Sequence, residues 1–257
     1  MMRKVITVVI LLTGIFLSIS TMALERTSLA ICGDGSGWPP YHFEKERKVI
    51  GYDIDVLEEI FSPLGLTITV DLPPWQRCLR ETKLGRYDIA LSAAYSEERD
   101  EDYILTDYYY TLQPSYVYSS ITYPEGLPIR TAQDLDYLRT CGLQGYNYTG
   151  FGVDDSKVRK NSRTFEQVVK MLEANRCDVF LARYEILAGF KASEGIDHLT
   201  NGLKVVSIPG ISGDKFYMLI SRSISDGQEL KSIFDQRIQQ LRSAGQLDKM
   251  IEKYFTE

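Results

Sequence analysis

Apolar residues along this chain recur at two periods, and the switches between them mark out its elements. Residues 29–32 form a short continuous apolar run, which predicts a buried strand. Three glycines and a proline pair across 33–40 then predict a loop, since neither strand nor helix tolerates that sequence. Over 53–61, Ile54, Leu57, Ile60 and Phe61 share one helical face; Pro63 and Gly65 end the helix, and 66–70 is the next strand. Residues 75–84 read as a helix with Gly85 near its end. Residues 88–93 read as a buried strand running into a Ser-Glu-Glu-Arg loop at 96–99. Helices alternating with short apolar strands predict parallel βαβ units.

The second half repeats this architecture without repeating its sequence. A short helix is expected over 131–138, and a strand over 140–144 that ends at Gly145. A helix follows over 164–174, burying Val168, Val169 and Leu172, and then a strand over 177–182. Two closing helices, 225–241 and 247–255, are punctuated by Gly245. The stretches 108–118 and 209–219 read as crossings between halves, with Tyr108-Tyr109-Tyr110 packing around the hinge. A chain that leaves one lobe, builds another and returns makes a clamp with a cleft. The expected division is lobe 1 over 24–109, lobe 2 over 110–213, and a return to lobe 1 over 214–257.

Residues 1–23 are read as an export signal rather than as part of the fold. Arg3 and Lys4 precede an uncharged apolar run from Val5 to Ile19, and Ser20-Thr21-Met22-Ala23 supplies the small residues of a cleavage site near Ala23. The run is too short for a membrane anchor, which needs about 18–20 apolar residues. Removing it takes two positive charges from a formal charge of −6 and leaves −8. An acidic chain with no Lys/Arg cluster argues against nucleic acid as a partner.

Export also changes how the four cysteines are read. Cys32 and Cys78 fall in the first half, Cys141 and Cys177 in the second, so the local pairing among three connectivities is Cys32–Cys78 and Cys141–Cys177. A zinc site is the rival reading, with wide spacings, no CxxC and only His42 and His198 to help. No metal or other cofactor is expected.

Catalytic motifs are absent. The glycine-rich stretch at 33–37 lacks the Gly-Lys-Ser/Thr of a phosphate loop and the GxGxxG spacing, and neither GxSxG nor HExxH occurs. The chain reads instead as a binding module. A strand end that presents a small-residue turn and an arginine, as at 92–99, can hold a small anion by backbone N–H groups and a guanidinium fork.

Pro-Pro-Tyr-His-Phe at 39–43, Gly-Tyr-Asp-Ile-Asp-Val at 51–56, Gly-Arg-Tyr-Asp-Ile at 85–89 and Ser-Glu-Glu-Arg at 96–99 come in an order and spacing that resembles the family 3 periplasmic solute-binding proteins. The Trp-Pro-Pro and Pro-Trp-Gln-Arg pieces resemble a less characterised branch. The resemblance implies an α/β, type II periplasmic-binding-protein clamp: two lobes, each a mostly parallel sheet flanked by helices, joined by a two-strand hinge. It implies a monomer that captures a small carboxylate-bearing solute, an amino acid or relative, and delivers it to an ABC permease. A ligand-binding sensor component for a membrane receptor or kinase, or a lyase on the same fold, is the alternative. By position, Arg99 would pair with the ligand carboxylate, assisted by Ser92, Ala94 and Ser96. Trp38, Tyr41 and Trp75 would form apolar walls, and Gly145, Tyr146 and Asn147 would meet the ligand from lobe 2. One departure stands out: where the family's amino-acid binders carry an aspartate for the ammonium, this chain has Arg183. With Arg77 near Trp75, the site is expected to be more positive than an ordinary amino-acid pocket, favouring a ligand with more than one acidic group or without an amine.

Overall fold

A computed structural model describes residues 26–255; the export signal expected over 1–23 lies outside the described residues. The first half opens with β1 (Ser28–Cys32), a hairpin of β2 (Phe43–Lys45) and β3 (Lys48–Ile50), and α1 (Tyr52–Phe61). It continues through β4 (Thr67–Asp71), α2 (Trp75–Lys83), β5 (Ile89–Ala94), α3 (Glu97–Asp102), β6 (Tyr103–Leu105) and β7 (Tyr110–Leu112). The second half comprises β8 (Pro114–Ser119), β9 (Thr140–Leu143), β10 (Arg159–Ser162), α4 (Phe165–Glu173), β11 (Val179–Arg183), α5 (Tyr184–Gly189) and β12 (Leu203–Ser207). A long strand, β13 (Asp214–Ser221), then precedes α6 (Gly227–Ser243) and α7 (Gln246–Glu252).

Apart from the β2–β3 hairpin, these strands make two separate sheets, one per lobe. The first runs β4-β1-β5-β13-β6 with β7 also on β13, and the second runs β10-β9-β11-β8-β12. In each, three strands are parallel (β4, β1, β5 and β10, β9, β11), and the strand that connects to the other lobe, β13 or β8, is antiparallel to its neighbour. Helix faces cover both sheets as their periodicity requires. α1 buries Ile54, Val56, Leu57, Ile60 and Phe61, and α4 buries Phe165, Val168, Val169 and Leu172. All six residues of β5 are buried, which explains why that strand has no polar alternation.

The structure departs from the sequence reading in places. Ser96-Glu97-Glu98-Arg99 is not a loop: the Ser96 hydroxyl accepts a hydrogen bond from the Arg99 backbone N–H and starts α3, whose first turn carries Glu97, Glu98 and Asp100. Residues 110–112 pair with β13 in the first sheet, so the chain crosses at Gln113 rather than at 110. There the Gln113 N–H donates to Glu185 at 3.0 Å and its side-chain amide to the Ile211 carbonyl at 3.0 Å, tying the two crossings together. The helix expected over 131–138 is a 3₁₀ turn, Ala132–Tyr137, held by a capping box between Thr131 and Asp134.

Each lobe carries one disulfide on its sheet. Cys32–Cys78 joins the end of β1 to α2, and Cys141–Cys177 joins β9 to the residue two before β11, with Cα separations of 5.6 and 5.9 Å. Beside the second, Asp178 accepts from the Arg139 backbone N–H at 2.8 Å, from the Arg139 guanidinium at 2.6 Å and from the Tyr123 hydroxyl at 2.7 Å. The Arg139 fork holds this carboxyl down at about 2. A depressed carboxylate stabilises the fold above its unfolded value near 4 and loses that contribution as pH falls toward 2. Asp178→Asn is therefore expected to cost about 2 kcal/mol at pH 7 and almost nothing at pH 2, read by urea unfolding at both pH values. An equal loss at both would contradict this.

Candidate functional site

The cleft lies where the parallel strands of both sheets end. Beyond β1 comes Asp34, beyond β5 comes Arg99, beyond β9 come Gly145 and Tyr146, and β11 ends on Arg183. This is the place that open α/β sheets offer to ligands, because strand ends leave backbone groups and loop side chains facing a crevice. Asp34, Trp38, His42, Trp75, Ser92, Ala94, Arg99, Tyr146, Asn147 and Arg183 line one cavity between the lobes, together with Leu91 and Phe216. In this arrangement the cavity leaves about 30 Å³ for the centres of water-sized molecules, room for about two waters. Arg99, Tyr146 and Asn147 also border a wider groove between the lobes, with Ser96, Gly145 and Asp214.

Arg99 is 8% exposed. Its guanidinium donates to the Ala94 carbonyl at 2.7 Å and, across the cleft, to the Gly145 carbonyl at 3.5 Å, and it lies over the Trp75 ring. No carboxylate forms an ion pair with it among the described residues. Burial, followed by the nearby Arg183 charge, draws Arg99 down to about 10, still protonated at neutral pH. Arg183 is 4% exposed and packed between the rings of Phe151 and Phe216, with Trp38 nearby. Its Nη2 donates to Asp214 at 2.5 Å, and its buried Nε has no partner.

Beneath the cavity sits a hydrogen-bonded network centred on Asp53, which is fully buried. His42 Nε2 accepts from the Asp34 backbone N–H at 3.0 Å, so Nδ1 carries the proton and donates to Asp53 at 2.7 Å. Ser92 and Tyr109 hydroxyls donate to the same carboxylate at 2.5 and 2.7 Å. Tyr110 donates to Ser92 at 2.6 Å, and the Trp38 indole donates to Tyr110 at 3.0 Å. The network fixes Trp38, Ser92 and the Asp34 loop against the strand leading to the crossing.

Several expected site residues are occupied differently. Ser92 has its hydroxyl on Asp53 and a positive φ of 55°, Ala94 offers its carbonyl to Arg99, and Ser96 caps α3 and does not line the cavity. Tyr41 is buried behind the cavity, stacked on Tyr110 with centroids 3.9 Å apart. Arg77 is exposed on α2 and does not line this cavity; it borders a second groove between the lobes with Asp34, Gln144 and Tyr146, while Trp75 and Cys78 of the same helix turn inward. Asn147 bridges the lobes by donating to the Tyr95 carbonyl at 2.7 Å. Gly145 has φ 80°, and a Cβ there would sit 2.7 Å from Gln76 of the opposite lobe, so glycine permits this close approach.

Asp34 caps its own turn and also reaches across the cleft. Oδ1 accepts from the Ser36 N–H at 2.9 Å, and Oδ2 accepts from the Tyr146 hydroxyl across the cleft at 2.5 Å. Burial pushes the Asp34 carboxyl and the Tyr146 phenol up, which keeps the phenolic proton in place to donate. Tyr146→Phe deletes this cross-lobe bond. Since one such bond to a charged group contributes about 1.5–3 kcal/mol when closed, ligand affinity is expected to fall about ten- to a hundredfold by calorimetry. Unchanged affinity would show that the bond does not contribute to the bound state.

A family model for bacterial extracellular solute-binding proteins, family 3, matches residues 29–257. The chain belongs to this family. Among curated family relatives, the L-cystine-binding protein TcyA of Bacillus subtilis (strain 168) is 20% identical over 91% of this chain and 84% of its own length. An ancestral arginine-binding protein solved with arginine shares the fold at a TM-score of 0.69 and 20% identity, over 90% of this chain and 99% of that one. A histidine kinase sensor domain with similarity to periplasmic binding proteins matches at 0.69 and 20% identity, over 89% and 96%. The two-lobed clamp is thus a shared family architecture. Such likeness carries the fold, while the ligand is a matter for the side chains of the cleft.

Proposed function

We propose that this family 3 protein is exported to the periplasm, captures a small carboxylate-bearing solute between its lobes, and delivers it to an ABC permease. The observation that carries this reading is Arg99: a buried guanidinium facing the inter-lobe cavity, bonded to two carbonyl oxygens and, among the described residues, to no carboxylate. A buried charge left without a counter-ion is costly, and a ligand carboxylate supplies one through a bidentate fork. Trp38 and Trp75 exclude water from that pair. Tyr146 and Asn147 close lobe 2 over it, and the closed form presents one surface to the membrane partner. The role is binding without bond-making; the curated relatives are themselves named as binding proteins, for L-cystine and for arginine. Native mass spectrometry of protein purified without unfolding tests the reading. A small carboxylate ejected from the complex is expected. A carried ligand with no acidic group would contradict it.

A further inference from the structure

The cavity between the lobes is richer in donors than in acceptors. Its charged side chains are Asp34, Arg99 and Arg183. The α-ammonium of an amino acid brings three N–H donors immediately beside its carboxylate and needs acceptors there. The side-chain acceptors lining the cavity each already hold a hydrogen bond. Both Asp34 oxygens accept, from Ser36 and Tyr146. The Ala94 carbonyl accepts from Arg99, and the Ser92 hydroxyl donates to Asp53 while accepting from Tyr110. His42 is engaged through both ring nitrogens, and the Asn147 oxygen accepts from Thr149. Asp214, the carboxylate nearest Arg183, is held by it at 2.5 Å.

Donors, by contrast, are left over. Among the described residues Arg99 has no carboxylate partner, and Arg183 engages its carboxylate through Nη2 while its buried Nε finds no partner. Both guanidinium groups line this one cavity, and after burial the Arg183 charge is what most draws Arg99 down. An ammonium placed beside a carboxylate on Arg99 would meet this second positive charge, whereas an anionic or acceptor group would relieve it.

We infer that the cleft selects an amine-free carboxylate, with a second anionic or acceptor group directed at Arg183, over its α-amino counterpart. This rests on the reading of Arg99 as the carboxylate anchor and names the class of solute that anchor takes. Calorimetric titration of ligand-stripped protein with matched pairs tests it: succinate against aspartate, glutarate against glutamate, propionate against alanine. The amine-free member of at least the dicarboxylate pairs is expected to bind tenfold or more tightly than its amino partner. Tighter binding of the amino members would overturn this inference and leave the carboxylate-capture reading standing. Binding of no member would overturn both. In Arg183→Gln the preference is expected to fall below threefold, and a folded variant that keeps it would overturn the role given to Arg183. Where that variant does not fold, the matched pairs on the native chain decide alone.

Discussion

Replacing Arg99 with alanine is expected to lower affinity for the captured carboxylate ten- to a hundredfold. The guanidinium stands at the end of β5, oriented by its own helix: Ser96 caps α3 through the Arg99 N–H, and the Ala94 carbonyl fixes one arm of the fork. The charge-assisted pair lost with the side chain contributes about 1.5–3 kcal/mol. Arg99 is also repelled by Arg183, so its removal does not carry the usual penalty of stranding a buried partner. The unliganded variant should therefore unfold near the wild-type midpoint while calorimetry shows the loss of affinity. Arg99→Lys keeps the charge but not the planar fork and should fall between the two. Wild-type affinity in Arg99→Ala would remove this residue from the site.

Breaking the disulfides should have the largest effect on stability. The cysteines are 46 residues apart in lobe 1 and 36 in lobe 2, and closing loops of that size contributes about 4 kcal/mol each in the chain-entropy model. That is a large part of the 5–15 kcal/mol that holds a typical domain folded. Replacing Cys141 and Cys177 together by serine is expected to lower the unfolding midpoint by about 8–16 °C at this chain length. The Cys32–Cys78 pair carries a second consequence, because it ties the end of β1, which leads to Asp34, to the helix that bears Trp75. Its loss should weaken ligand binding as well as stability. A midpoint unchanged by reductant would contradict both expectations.

Much of the architecture was legible in the chain because it is written in local periodicity. The apolar faces of α1 and α4 and the continuous runs of β1 and β5 announce buried helices and strands at short range. The cysteine pairing was local for a similar reason, since each pair closes within one lobe. Ser96 illustrates what was readable but differently placed: Ser-Glu-Glu is a helix start, and the acidic first turn of α3 favours it electrostatically. Other features depend on contacts between distant segments. The Arg183 side chain finds Asp214 thirty-one residues later, on the strand that returns from lobe 2. Tyr146 meets Asp34 from the opposite lobe, 112 residues away. The Asp53 network joins the 39–43 loop, α1, β5 and the tyrosines before the crossing, and no periodicity in the sequence reports such a meeting. The sequence shows Arg183 as a charge at a strand end, while its neutralising partner Asp214 comes from a distant strand.

The most direct measurement is thermal unfolding of the chain lacking residues 1–23, refolded to strip carried ligand, against a panel of amino acids and amine-free carboxylates. A ligand that binds the folded state adds about 2.7 kcal/mol at a hundred times its dissociation constant, which moves the midpoint by several degrees. A rise with at least one small carboxylate, abolished at the same concentration in Arg99→Ala, is the predicted result. A panel in which no carboxylate shifts the wild-type midpoint, or in which the shift survives intact without Arg99, would contradict the account.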